Sequence, residues 1–382
     1  MTRTNRSPPR RSMPEMPTRT TVPKRIVFAG GGTGGTVGPG IAIAERLAEI
    51  APSVEIVFLC SDRPVDGRLL EPGGWGYRCT PARSPGVRPG AAIRFLRGWR
   101  GTRRIAGAML DPVDGCRVLA LGGFVAPPVV REAIRRGVPV DLLNLDAVAG
   151  RANRWIARRA TRCFTAVPSD LPDVVDAIGV PLRRAALPDG PASRHRETLG
   201  LRPDLPTLLV TGASQGAVSI DRMMVDLAIR HRDWFAGWQI LHLAGREMVD
   251  TLVRAYSESA IPAVVRPFLE RMGDAWGAAD LAITRGGASS IAEVAASRTP
   301  AIVIPYPWHE DQHQAKNAAT LAKAGAVLVR ADPVRGPVAR PPLESSLATL
   351  LQSADERTRM TVAFGPTPGD AAAEFARTLL EG

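Results

Sequence analysis

The residues of this chain best suited to chemistry fall in four clusters rich in glycine or histidine. The first is GGGTGGT at 30–36, which follows the apolar run at 25–29 and precedes a helical pattern in Ile41, Ala44, Leu47 and Ala48. Glycines at a strand-to-helix turn let backbone amides close on a polar or anionic ligand, and the helix N-terminus adds unpaired N–H groups. A tight packing turn would use the same residues. Gly30, Gly32 and Gly35 also fit the spacing G-x-G-x-x-G, a weak match inside a glycine cluster. Asp62, after the apolar run at 54–59, stands where a dinucleotide-binding unit keeps its ribose acid, so a dehydrogenase is one alternative. There is no GxxxxGK[ST] phosphate loop.

The second cluster, TGASQGA at 211–217, repeats the strand–loop–helix setting. Gly212 and Gly216 allow donors to approach a diphosphate, while Ser214 and Gln215 add hydrogen-bonding groups. In the third, TRGGASSIAE at 284–293, Ser289 or Ser290 can cap a helix whose first amides face an anion. Glu293 can then accept two sugar hydroxyls. The fourth, PYPWHEDQHQAKN at 305–317, offers His313, Gln314 and Asn317 to a sugar. His309, Asp311 and His313 would need a specific geometry to hold a metal, and no dedicated metal site is expected.

These clusters need elements to position them. Strand patterns at 25–29, 54–59, 117–121, 140–144 and 163–167 alternate with helical patterns near 40–50, 91–109, 126–136, 150–159 and 169–177. Such alternation predicts parallel strands with crossover helices, a doubly wound α/β domain over 25–184. A Pro-, Gly- and charge-rich stretch at 185–205 reads as a linker. A second alternation fills 206–365, with strands expected at 207–211, 239–243, 263–266, 281–284, 301–304 and 326–329. A final helix within 366–382 is expected to pack back on the first domain. Residues 1–24 read as a flexible, basic, Pro-rich tail. Two such domains place their strand-end loops around one cleft, the default active site.

Composition sets the class. The 382 residues carry 49 Lys and Arg against 37 Asp and Glu, a formal charge of +12 that favours anionic partners. No zinc-finger spacing or aromatic RNA-binding signature accompanies that charge, so no nucleic acid is expected. The four cysteines are widely spaced and read as buried thiols of a reducing compartment. Neither a signal-peptide pattern nor an apolar stretch of about 18 residues is present. Between 83 and 104 the chain holds seven arginines, Arg94 and Arg97 among them, and no acid. Ile93, Leu96 and Trp99, three apart, can form an apolar seam beside them, suited to an anionic membrane surface. A solvated helix packed on the domain is the plainer reading.

In their order, these motifs resemble the MurG family of bacterial glycosyltransferases. GGGTGGTVGPGIAIAERL at 30–47 is similar to its first glycine signature, and LGGFV at 121–125 to its acceptor-side loop. GASQGA, GGASSIAEVAA and HEDQHQAKNA are similar to its donor-side motifs. The resemblance implies a GT-B fold of two Rossmann-like domains and inverting transfer of N-acetylglucosamine from UDP-GlcNAc to lipid I, giving lipid II. No metal or other cofactor is implied. Lipid I would be the acceptor partner, with other peptidoglycan-synthesis proteins as candidate partners. The place implied is peripheral, on the cytoplasmic side of the cell membrane.

By position, the resemblance implies acceptor contacts at Gly34, Gly35, Thr36, Gly122, Gly123 and Asp146. Ser214 and Gln215 take the UDP portion, Arg183 the diphosphate, Glu293 the ribose, and His313 and Gln314 the sugar. Three positions depart from the pattern. Thr36 stands where a histidine is usual, Asp146 near the asparagine of the HEQN region, and Val180 for the asparagine of GNPVR. A hydroxyl is a poor base near neutral pH, so of Thr36 and Asp146 the carboxylate is the better proton acceptor. A transferase for another acceptor, or a sugar-nucleotide-binding protein of the cell-wall machinery, stays open from sequence alone.

Overall fold

Each half of the chain folds as a parallel sheet wrapped by helices. Short apolar runs bounded by turn residues cannot bury themselves as helices, and they pair side by side instead. The computed structural model describes residues 22–381 except 87–88, 172–173, 175–176, 213–215, 309 and 336–339. The first half runs β1 (Arg25–Ala29), α1 (Gly34–Ile50), β2 (Glu55–Ser61), α2 (Pro64–Leu70), β3 (Gly76–Thr80) and α3 (Pro89–Met109). It continues with β4 (Cys116–Ala120), α4 (Ala126–Arg136), β5 (Val140–Asn144), α5 (Arg151–Ala157) and β6 (Arg162–Thr165).

The second half opens with α6 (Ala192–Leu199), β7 (Thr207–Thr211), α7 (Val218–Arg230), β8 (Gln239–Leu243), α8 (Val249–Glu258) and β9 (Ala263–Arg266). Then come α9 (Met272–Ala278), β10 (Leu281–Thr284), α10 (Ala288–Ser297), β11 (Ala301–Val303), α11 (His313–Ala324) and β12 (Val327–Val329). Three helices close the chain: α12 (Arg340–Gln352), α13 (Ala354–Val362) and α14 (Ala371–Leu380).

The strand orders are β3-β2-β1-β4-β5-β6 and β12-β11-β10-β7-β8-β9, parallel throughout. In each sheet the winding direction reverses once, between β1 and β4 and between β7 and β10. An open α/β sheet binds ligands in the crevice at that reversal, beyond the strands' C-terminal ends. Loops carrying glycine clusters follow all four of those strands. This is the two-domain GT-B arrangement expected from the sequence.

Helix α14 lies on α1 and joins the first domain's core through Phe375, Ala376 and Leu379. The Phe375 ring meets Phe164 edge-on at 5.0 Å. Arg46, 2% exposed, bonds Asp370 at 2.9 Å just before α14.

Helix α2 was not expected from the sequence, and three further elements differ from expectation. Strand β3 is largely exposed at the sheet edge, so GYRCT carries no apolar run to mark it. The helix expected at 169–177 is absent from the described residues there. Ala177 instead bridges Thr165, and the Ile178 and Gly179 amides bond back to Thr165 and Ala166. The stretch 185–205 contains α6, which packs on α9 and is bracketed by Pro191 and by Gly200 at φ 79°. The breakers that suggested a linker are its caps.

Candidate active site

The first glycine loop is built around a carboxylate that sequence reasoning did not single out. Asp66, fully buried, accepts from the Gly32 amide at 2.8 and 3.0 Å, the Ser61 amide at 2.9 Å and the Ser61 hydroxyl at 2.6 Å. A Cβ on Gly31 would fall 2.6 Å from Asp66 Oδ2. Gly32 has φ 94°, and a Cβ there would meet the Phe124 ring at 2.6 Å, so both positions require glycine. The loop delivers the chain into α1 at Gly34, with Gly35 and Thr36 in the first turn and the Thr36 hydroxyl 2.9 Å from that of Thr33.

The LGGFV loop packs against this turn. Gly122 and Gly123 have φ 86° and 71°, and a Cβ on Gly123 would reach 3.2 Å from the Gly31 carbonyl. Beside Gly122 lies the half-buried Asn153, whose buried Oδ1 has no hydrogen-bond partner among the described residues while its Nδ2 donates to Asn144 Oδ1 at 2.8 Å. Asn144 in turn holds the next loop through the Asp146 carbonyl at 2.7 Å.

Asp146 meets the second domain through Asn317 of α11. The Asn317 amide nitrogen donates to Asp146 Oδ1 at 3.0 Å and to the Gly286 carbonyl at 3.1 Å, and its oxygen accepts from the Ala147 amide at 3.0 Å. One buried side chain therefore ties together a loop of each domain. At the end of the first domain's range, Arg184 bonds Glu49 of α1 at 2.7 Å.

On the second domain, Glu293 is half-buried in α10, and Trp276 Nε1 donates to its Oε2 at 2.8 Å. Burial pushes the Glu293 carboxyl up to about 7, against the opposing pull of the indole hydrogen bond and the nearby Arg183 charge. The Arg183 guanidinium makes no hydrogen bond with the described residues. Helix α10 starts after Gly287 with no side-chain cap, and the buried Ser289 hydroxyl next to it has no partner among the described residues. Unpaired amides and an unpaired hydroxyl at a helix start suit an anion. Gly286 is pressed against Gln314, where a Cβ would sit 2.2 Å from the Gln314 carbonyl. Gln314 Oε1 accepts from the Tyr306 amide at 2.8 Å, and His313 Nδ1 lies 2.8 Å from Asp311.

Ser214, Gln215 and His309 lie outside the described residues. Of their loop, Gly216 has φ 69° and rests on Gly245. The Gly245 amide bonds Asp221 in a buried chain, Asp221–His242–Tyr256, with links of 3.1 and 2.8 Å. Burial lowers the His242 pKa, against the opposing pull of the Asp221 hydrogen bond and charge.

Asp62, the ribose acid of the dehydrogenase alternative, instead forms a bidentate pair with Arg83 at 2.6 and 3.0 Å. Asp189, His195 and Asp274 gather closely enough to hold a metal ion. Arg271 already bonds Asp189 at 2.8 Å and lies 3.4 Å from Asp274, so one of their two negative charges is already offset.

On α3, Ile93 and Leu96 are 55% and 52% exposed, with Arg94 and Arg97 open to solvent beside them. Trp99 departs from the expected seam. It is half-buried, 5.8 Å from Phe95 and 6.5 Å from Trp155. Among the described residues no helix is long and apolar enough to cross a membrane.

Residues 26–165 match the glycosyltransferase family 28 N-terminal domain and 207–365 the family's C-terminal domain. A UDP-N-acetylglucosamine–N-acetylmuramyl-(pentapeptide) pyrophosphoryl-undecaprenol N-acetylglucosamine transferase of Bordetella petrii is 37% identical over 307 residues, covering 79% of this chain and 83% of its own. The enzyme of the same name from Mycobacterium ulcerans is 36% identical over 371 residues, covering 93% and 91%. Among solved structures, Acinetobacter baumannii MurG superposes with TM-score 0.66 at 24% identity, covering 94% of this chain and 99% of that one. The calicheamicin glycosyltransferase CalG4 gives 0.59 at 15%, covering 94% and 98%. These two likenesses are of fold.

Proposed function

The chain belongs to the family 28 glycosyltransferases named for N-acetylglucosamine transfer to N-acetylmuramyl-(pentapeptide) pyrophosphoryl-undecaprenol, and on that premise we propose that it catalyses this transfer from UDP-GlcNAc, forming lipid II from lipid I. The observation that carries the reading is the pairing at Glu293. One carboxylate oxygen is held by Trp276, Arg183 stands near, and the uncapped start of α10 lies on the same wall.

In this reading UDP-GlcNAc lies along the second domain. Glu293 accepts the ribose hydroxyls through the oxygen that Trp276 leaves open. Arg183, the α10 amides and the Ser289 hydroxyl take the diphosphate and stabilise the charge that grows on it as the glycosidic bond breaks. Ser214 and Gln215 contact the UDP portion, and His313 and Gln314 the sugar. The acceptor enters over Gly34, Gly35, Thr36, Gly122 and Gly123. A Cβ on Gly35 would meet nothing nearer than Thr33 Oγ1 at 4.0 Å, so internal packing does not demand glycine there, whereas close approach of an acceptor does.

Asp146 removes the proton from the attacking hydroxyl, which adds to the anomeric carbon opposite the departing UDP and inverts it. Its Oδ1 is oriented by Asn317, and Thr36 positions the acceptor through its hydroxyl. No step is routed through a metal. The enzyme works on the cytoplasmic face of the membrane, with Ile93 and Leu96 entering the interface and Arg94 and Arg97 meeting anionic headgroups. Titration of UDP-GlcNAc into folded Glu293→Ala and Arg183→Ala variants tests the donor assignment. Weaker binding by both is expected, and unchanged affinity in both would overturn it.

A further inference from the structure

We propose that His195, Asp189 and Asp274 form a binding site for a divalent cation of the zinc class. The site uses none of the glycine or donor motifs and does not depend on the reaction inferred above. His195 lies in α6 and is 2% exposed. Its ring is pressed on α9, where a Cβ on Gly277 would fall 2.3 Å from Cδ2 and 2.6 Å from Nε2. Nδ1 lies 2.9 Å from Asp274 Oδ1, whereas Nε2 is buried and has no hydrogen-bond partner among the described residues. It faces Asp189 Oδ1 at 3.8 Å, beyond hydrogen-bond range.

A buried ring nitrogen needs a partner in either protonation state. With a proton it is an unmet donor, and without one an unmet lone pair. The second case is that of a metal ligand. The Asp274 carboxylate takes the Nδ1 proton, which fixes the tautomer with Nε2 bare and makes the imidazole a stronger ligand. Zinc sits ~2.0–2.1 Å from an imidazole nitrogen and ~2.0–2.2 Å from a carboxylate oxygen, so one ion can span the 3.8 Å from Nε2 to Asp189 Oδ1. An imidazole beside a carboxylate favours zinc over calcium or magnesium, which take oxygen ligands. The Asp189 side chain is 54% exposed, which gives the ion a way in and water a place to complete its coordination.

Arg271 is the competing cation, and its contacts leave the inner oxygens open. It bonds Asp189 through Oδ2 at 2.8 Å and lies 3.4 Å from Asp274 Oδ2. The Oδ1 atoms of both carboxylates are turned to His195. Arg271 therefore clamps the two acids by their far oxygens, and two carboxylates against one guanidinium leave a negative charge for the ion. The site also joins two pieces of backbone. Asp189 belongs to the stretch between the two sheets, and Asp274 to α9, where a Cβ on Gly273 would meet the Leu187 carbonyl at 2.1 Å. A bound ion would brace that stretch against the helix that carries Trp276.

The test uses the tag-free full chain, stripped of metal with a chelator, and zinc chloride titrated by calorimetry without nucleotide. One zinc per chain is expected, with a micromolar Kd. His195→Gln should abolish binding, with circular dichroism reporting whether the buried substitution still folds. Asp189→Asn changes an exposed side chain and should weaken binding at least about tenfold. Asp274→Asn, which loosens the ring's anchor, should weaken it roughly ten- to a hundredfold. His313→Ala, in the His313–Asp311 pair, should bind zinc as wild type does. Zinc at about a hundred times its Kd should raise the wild-type melting temperature by several degrees and that of Asp189→Asn by less. No zinc binding by wild type, or binding that Asp189→Asn and Asp274→Asn leave unchanged, would overturn the site. Binding lost in His313→Ala and kept in Asp189→Asn would place the ion at Asp311 and His313 and overturn it too. Displacement of zinc by an equal concentration of magnesium would contradict the class of ion. Transfer activity enters none of these readings, so they stand or fall apart from the proposed reaction.

Discussion

The ionisation of Glu293 should be readable in donor binding. Its carboxyl is raised by burial from the ordinary 4.5 to about 7 in the ligand-free protein. A shift of that size corresponds to at most about 3 kcal/mol against the charged form, less whatever solvent in the cleft screens, since the group is only half-buried. Ribose hydroxyls donate best to the carboxylate, so binding favours the ionised form. With a pKa near 7, about a tenth of the groups are ionised at pH 6 and about nine-tenths at pH 8. UDP-GlcNAc affinity is therefore expected to rise roughly tenfold between those values, about 1.3 kcal/mol. The ligand's own diphosphate, esterified at both ends, does not titrate there. Calorimetry at pH 7 in two buffers of different ionisation enthalpy should detect about half a proton released per ligand. In Glu293→Gln this release and most of the pH dependence should vanish. A flat wild-type profile, or an equal slope in the variant, would refute the ribose assignment.

The same group affects stability. A carboxyl raised in the folded state contributes stability that is present below about 4.5 and lost as pH rises to about 7. Thermal melts of ligand-free Glu293→Gln should thus gain on wild type through that window, and a gap that shrinks with pH would contradict this. Asp66→Ala leaves the Gly32 and Ser61 donors without their acceptor and is expected to cost about 3 kcal/mol by urea denaturation; an unmoved midpoint would remove Asp66 as the loop's support. Asp146→Asn should slow single-turnover transfer by about a hundredfold or more with donor affinity nearly kept, and near-normal chemistry would exclude it as the base. Ile93→Ser combined with Leu96→Ser should reduce sedimentation with anionic vesicles more than UDP binding, and equal vesicle binding would move the contact elsewhere. Trp99 is unsuited to that test, because its packing on Phe95 and Trp155 couples the change to folding.

Glycine made much of the site legible. At Gly31, Gly32, Gly122 and Gly286 a side chain would collide with a neighbouring element, and such positions leave a spacing that can be read directly. The two chain reversals were equally open to inspection, since alternating apolar runs and helical patterns admit few windings. What stayed hidden depends on partners distant in sequence. Asp66 looks like an ordinary acid in PVDGRLL until α2 carries it beneath the β1 loop. Trp276 lies 17 residues before Glu293, and only the packing of α9 beside α10 shows that they bond. Asn317 and Asp146 are 171 residues apart and meet only when the two domains face each other. Edge strand β3 and helix α6 were obscured for the opposite reason. Exposure and flanking breakers gave them the local character of loops.

The most direct measurement is product analysis after incubating the full-length protein with UDP-GlcNAc and lipid I in detergent or anionic vesicles. The expected product is lipid I extended by a single N-acetylglucosamine in the inverted configuration, released with one UDP per transfer and absent when UDP-glucose or UDP-GalNAc replaces the donor at equal concentration. UDP-GlcNAc binding with no extension of lipid I, or extension with retained configuration, would contradict the proposed reaction.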